Sequence, residues 1–112
     1  MIMQHVTLRV RDVEKSIRFY EEFAGLHVTR RLPTGPVFLS AGEGECSMEL
    51  IESPETYAGS GISVGFHVDD VDAQREKLIA AGYAPTPITS PNPSVRFFFV
   101  NDPDGLQVQF II

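Results

Sequence analysis

The sequence predicts an α+β fold built from two tandem βαβββ modules, and three observations predict it. Short stretches alternate apolar and polar residues at the period of a half-buried strand. Two longer stretches carry helix start and stop signals, and the second half repeats the first. The 112 residues suit a single domain, with module one over 1–52, a connector over 53–60 and module two over 61–112.

Each element follows from its own residues. "QHVTLRV" sets Val6, Leu8 and Val10 against His5, Thr7 and Arg9, so a strand that buries the first set turns His5 to its other face. "DVEKSIRFYEEFAG" then forms an amphipathic helix. Asp12 caps its start, Glu14 lies in its first turn, Val13, Ile17, Tyr20 and Ala24 form a stripe, and Gly25 stops it. Three strands follow around "LHVTRR", "VFLSA" and "CSMELI", parted by the turn-forming Pro33-Thr34-Gly35-Pro36 and Gly42-Glu43-Gly44.

After the polar connector "ESPETYAGSG", the strand "ISVGFHV" sets Ile62, Val64, Phe66 and Val68 against Ser63, Gly65 and His67. "DDVDAQREKLIAAG" repeats the helix pattern with an Asp cap, a stripe of Val71, Gln74, Leu78 and Ala81, and a stop at Gly82. Prolines confine "APTPI" to an edge strand. "TSPNPS" reads either as a flap over a pocket or as an irregular surface loop. "VRFFFV" and "LQVQFII" are the last two strands, joined by a turn at Asn101-Asp102-Pro103-Asp104-Gly105.

The halves align. "RVRDVEKS" matches "HVDDVDAQ" and "SMELI" matches "QVQFI", which places His5 opposite Ser63 and Glu49 opposite Gln109. All four lie on the strand face away from the helix-covering residues. If the two sheets curve together, the four positions face one concavity.

Composition excludes several function classes. The net charge is −6 and the nine Lys and Arg residues are scattered, which argues against binding nucleic acid or anionic membrane. No apolar run reaches the length of a bilayer span, and the N-terminal "MIMQHVTLRV" has no secretory-signal pattern, so a cytoplasmic location is expected. Cys46 is the only cysteine, which excludes an intrachain disulfide and a thiolate metal cluster; it reads as a small buried thiol.

"HVTLRVRDVEKSIRFYEEFAGL" and "RFFFVNDPDGLQVQFI" resemble the opening strand and helix and the closing hairpin of the vicinal oxygen chelate superfamily, which includes glyoxalase I, bleomycin-resistance proteins and extradiol dioxygenases. The resemblance implies two βαβββ modules whose mixed sheets form a curved cup, and a homodimer. It also implies metal-ligand positions at His5, Glu49, Ser63 and Gln109. His5 and Glu49 are good donors for Zn, Ni, Fe or Mn, and Gln109 adds a neutral carbonyl oxygen, but Ser63 is a poor donor. Any divalent metal would therefore be weakly held. The other reading of His5 and Glu49 is a pair of hydrogen-bonded polar residues in a cavity that holds no metal.

A ligand in the cup would meet Ser63, Gln109, Arg9 and His67. His67 lies four residues beyond Ser63, roughly 13 Å along a strand, so it serves the far end or rim and not the same metal. In "VRFFFV" the face bearing Arg96, Phe98 and Val100 is taken as the cavity wall, with Phe98 as an aromatic contact.

The leading functional expectation is a small-molecule-binding protein of the bleomycin-resistance type. The alternative is a divalent-metal-dependent lyase of the lactoylglutathione lyase type, with Glu49 as catalytic base, because glutamine at 109 cannot take up a proton. Extradiol cleavage needs two histidines and a carboxylate on one iron, and Ser63 removes the second histidine.

Overall fold

The computed structural model describes residues 1–57 and 60–112, so the end of the expected 53–60 connector, Ala58 and Gly59, lies outside the described residues. The chain divides into two compact units, Met1–Ala58 and Gly59–Ile112.

In the first unit, β1 (His5–Val10), α1 (Val13–Ala24), β2 (His27–Arg31), β3 (Val37–Ser40) and β4 (Ser47–Glu52) form a sheet of order β1-β4-β3-β2. The second unit repeats this with β5 (Ser63–His67), α2 (Val71–Ala80), β6 (Thr89–Asn92), β7 (Val95–Asn101) and β8 (Gln107–Ile111), in the order β5-β8-β7-β6. Each sheet is mixed: its first and last strands pair in parallel and the rest are antiparallel. His5 pairs with Ser47 and Ser63 pairs with Gln107, so the two copies share one register.

Three of the four helix ends are those the sequence predicts, but α2 ends at Ala80 with the exposed Ala81 as its C-cap, one residue before the expected stop at Gly82, so Ala81 is not part of a buried stripe. The Asp12 carboxylate accepts from Lys15 N at 3.1 Å and Asp70 from Ala73 N at 2.9 Å, each satisfying an N–H that the first turn leaves without a helical partner. Gly25 ends α1 at φ 66°, where its N–H donates to Tyr20 O; a side chain at this left-handed position would be strained.

The helix-facing sides of the sheets form the cores. Ile17, Phe19, Tyr20 and Phe23 of α1 are buried with Val10, Leu39 and Leu50, so α1 buries a wider stripe than the one predicted, and Val13 and Ala24 are only half-buried. In the second unit α2 buries only Val71 and Leu78, and sheet aromatics make up the difference, with the Phe98 and Phe110 rings 5.6 Å apart.

Two expectations are overturned. Cys46 is exposed, because it ends the turn before β4 and lies outside the alternation that buries Met48 and Leu50. The edge strand of the second sheet is Thr89–Asn92 and not 84–88, where Pro85 and Pro87 lack the N–H groups a ladder needs. Thr86 between them still ties this segment to the sheet, donating its N–H to Phe99 O at 2.8 Å and accepting from Phe99 N at 2.9 Å. "TSPNPS" is therefore mostly paired strand rather than a flap. The Ser90 hydroxyl reaches both Asn92 O and Val95 O at 2.9 Å, which fixes the turn that follows.

Candidate functional site in the first unit

The open face of the first sheet is organised by one line of cross-strand neighbours: Thr7, Glu49, Phe38 and Arg30 occupy paired positions on β1, β4, β3 and β2. Paired residues point to the same side of a sheet, so a hydroxyl, a carboxylate, an aromatic ring and a guanidinium lie side by side. Thr7 Oγ1 donates to Glu49 Oε1 at 2.6 Å, and His5 Nε2 stands 3.8 Å from the same oxygen. The Glu49 side chain is only 15 % exposed, so this carboxylate is partly withdrawn from water yet held by a charge-assisted hydrogen bond. The His5 ring meets Phe38 edge-on, centroids 5.7 Å apart at 89°, and the Arg30 guanidinium lies 5.1 Å from the centre of that ring.

Beside this line is a cavity of about 300 Å³ lined by Gln4, His5, Thr29, Arg30, Phe38 and Ser47. Two consecutive residues of one strand, Thr29 and Arg30, line it together because β2 bulges there: Val28 pairs with Leu39, but Arg30 pairs with the adjacent Phe38. A bulge inserts one residue and resets the alternation of faces. It turns Arg30 to the cavity and Arg31 to the helix side, where Arg31 Nη1 donates to Glu14 of α1 at 2.8 Å. That hydrogen bond, reinforced by the carboxylate's charge, raises the pKa of the Arg31 guanidinium above its ordinary value. Arg30 has no carboxylate partner among the described residues.

The second unit offers the neutral counterpart. Gly65, Gln109 and Phe99 are paired where the first unit has Thr7, Glu49 and Phe38. Ser63 lies exposed one pleat away on the same face. The carboxylate is thus replaced by a carboxamide and the threonine hydroxyl by hydrogen. His67 is at the far end of β5, its side chain 70 % exposed and its Nε2 3.5 Å from Asp69 Oδ1. Arg9 lies at the corresponding end of β1, paired with Ile51 and exposed.

Two expected wall residues face the other way. Phe98 is fully buried on the helix side against Phe110, so it is not available to a ligand on the open face. Arg96 shares its parity and grips Asp72 of α2 through Nη2, at 2.8 and 3.0 Å. Phe97 and Phe99 take the open face instead, their rings 5.7 Å apart and at 76°. Gln4, Thr29, Arg30, Phe38 and Ser47 were not expected at the site. For Thr29, Arg30 and Phe38 the sequence signal is the alternation in "HVTRR" and "VFLS", which the bulge breaks, while Gln4 precedes His5 and Ser47 is its partner across the strands.

The donors at the implied metal positions are uneven in strength. His5 and Glu49 could both reach one ion, but their counterparts Ser63 and Gln109 are a hydroxyl and an amide, neither carrying charge. Among the described residues no three His, Cys, Asp or Glu side chains are grouped to hold a cation. What the arrangement can do is accept a hydrogen bond or a proton at Glu49, stack a ring on Phe38 and pair an anion with Arg30.

Comparison with known proteins agrees with the fold and narrows the family. Residues 2–110 match the family model described as Glyoxalase/Bleomycin resistance protein/Dioxygenase superfamily. A lactoylglutathione lyase from Haemophilus influenzae is 31 % identical, the alignment covering 99 % of this chain and 92 % of that protein. Among solved structures, the antibiotic-binding protein TnmS3 from a Streptomyces species superposes with a TM-score of 0.79 at 26 % identity, covering 98 % of this chain and 93 % of that one. A glyoxalase I variant from Zea mays superposes with a TM-score of 0.82 at 27 % identity, covering 97 % of this chain but 44 % of the larger maize chain.

Proposed function

The chain belongs to the glyoxalase/bleomycin resistance protein/dioxygenase superfamily, and from that premise we propose that it is a small-molecule-binding protein that holds an organic ligand in the first unit's cavity without changing it. The observation that carries this reading is the lopsided chemistry of the two copies. Glu49, hydrogen-bonded by Thr7 and near His5, answers to Gln109 beside Gly65. Acid/base or Lewis-acid chemistry of the lyase kind draws on charged donors from both copies, whereas binding needs only a cavity with a few convergent polar groups. The likeness to an antibiotic-binding protein supports the same class of function. A homodimer in the cytoplasm completes the proposal.

The second reading is a divalent-metal-dependent lyase in which His5 and Glu49 would be ligands to Zn, Ni, Fe or Mn and Glu49 would act as base. The 31 % identity to a lactoylglutathione lyase favours it. One experiment separates the two. Untagged protein is analysed for bound metal, then its melting temperature is followed with Ni²⁺, with Zn²⁺ and with a panel of aromatic and polar small molecules, since whatever binds only the folded state raises it. Ligand-induced stabilisation with no response to metal supports the binding protein. Stoichiometric metal that is lost on His5→Ala, together with isomerase activity on a glutathione hemithioacetal, supports the lyase. A flat response to the whole panel in metal-free protein overturns the leading reading.

A further inference from the structure

Resting on the reading that the first unit's cavity holds a small organic molecule, we propose that this ligand is a planar aromatic acid carrying a hydrogen-bond donor opposite its acid group. The argument begins with Arg30. The chain has 15 Asp and Glu against 9 Lys and Arg, yet Arg30 has no carboxylate partner among the described residues. Arg31 has Glu14 and Arg96 has Asp72, but Arg30 stands over the Phe38 ring at the cavity. A guanidinium held against an aromatic face keeps its N–H edge free, and that edge matches a carboxylate with two parallel hydrogen bonds. Among the described residues that line the cavity, Arg30 is the one arginine or lysine.

Phe38 supplies the second specification. Its ring is flanked by Glu49 on one neighbouring strand and Arg30 on the other, with His5 edge-on beside it. Glu49 stands just beyond the lining, its Oε1 3.8 Å from Nε2 of the lining residue His5, and two strand spacings, roughly 9–10 Å of backbone, separate it from Arg30, which a benzene ring with para substituents and a hydrogen bond at each end can span. The polarity of the line fixes the orientation. The ligand's acid must lie at Arg30, since Glu49 repels it, and a hydroxyl or N–H donor must lie at Glu49. An amine at the Arg30 end would meet like charge. A volume of about 300 Å³ suits a single-ring molecule.

Three probes of one shape test this: para-hydroxybenzoate, para-hydroxybenzamide and para-hydroxybenzylamine, titrated by calorimetry and by the His5 imidazole resonances in NMR spectra. The benzoate is expected to bind about tenfold more tightly than the benzamide, the difference one charge-assisted pair makes over a neutral one. Arg30→Gln should reduce benzoate affinity to that of the benzamide, Arg31→Gln should leave it unchanged, and Phe38→Leu should weaken both ligands alike. Equal or tighter binding of the benzamide or benzylamine, or equal effects of the two arginine substitutions, would overturn the ligand class. If neutral or cationic aromatics move the His5 resonances and the acid does not, the acid specificity falls while the binding function stands. If no aromatic in a broad panel moves them, both fall.

Discussion

Thr7 and Glu49 face each other across adjacent parallel strands, and the threonine hydroxyl meets the carboxylate at 2.6 Å. The bond satisfies a carboxylate whose side chain is only 15 % exposed. Thr7→Val keeps the shape and removes the donor, so it should lower unfolding free energy by about 0.5–1.5 kcal/mol in urea denaturation, with Thr7→Ser recovering most of the loss. A valine variant as stable as the parent would mean that water replaces the hydroxyl at no cost.

The parity of β7 gives a sharper contrast. Phe98 is fully buried under α2, whereas Phe99 is half-exposed beside Gln109. Phe98→Ala leaves a cavity and should cost about 3–5 kcal/mol, while Phe99→Ala should cost clearly less, because its ring already meets solvent. Equal losses in urea titrations would refute the assigned faces.

The closing turn depends on a buried acid. Asp102 is 5 % exposed, and its Oδ1 accepts from Asp104 N at 2.8 Å and Leu106 N at 2.9 Å. Gly105 follows at φ 88°. Asp102→Ala strands two N–H donors and should cost about 2–3 kcal/mol, with Asp102→Asn retaining part of that because its carbonyl still accepts. Thermal melts of the two variants should therefore be separated, asparagine the higher.

Gly65 gives a stabilising prediction. Its backbone is not in the left-handed region, and a Cβ there would meet Gln109 Oε1 at 3.4 Å, an ordinary contact. Gly65→Thr restricts the unfolded chain and offers Gln109 a hydroxyl, so it should raise stability by about 0.5–1 kcal/mol. A drop instead would show that the open face of the second sheet needs the space.

Much of the fold could be read from the chain because periodicity and caps are local signals. Asp12, Asp70 and Gly25 act where their residue types direct them, and the repeat alignment of His5 with Ser63 reappears as shared strand register. The site was less legible because it rests on non-local facts. "RFFFV" has phenylalanine on both faces, so its pattern could not say that Phe98 goes inward. The nearness of Phe38 to Glu49 is a matter of strand order, and Cys46 is exposed because β4 begins one residue after it, at Ser47. Arg30 was hidden for a different reason: a period-two reading of "HVTRR" assumes an unbroken strand.

That break at Thr29 has its own consequence. An unbroken ladder from the Val28–Leu39 pair would set Thr29 opposite Phe38 and Arg30 opposite Val37, so the bulge decides which of two neighbouring arginines turns to the cavity and which clasps Glu14 of the helix. Deleting Thr29 would remove the bulge and leave Arg30 opposite Phe38 and Arg31 opposite Val37, whereas straightening the strand at constant length would exchange their duties, so the irregularity itself, more than any one side chain, sets which guanidinium the pocket receives.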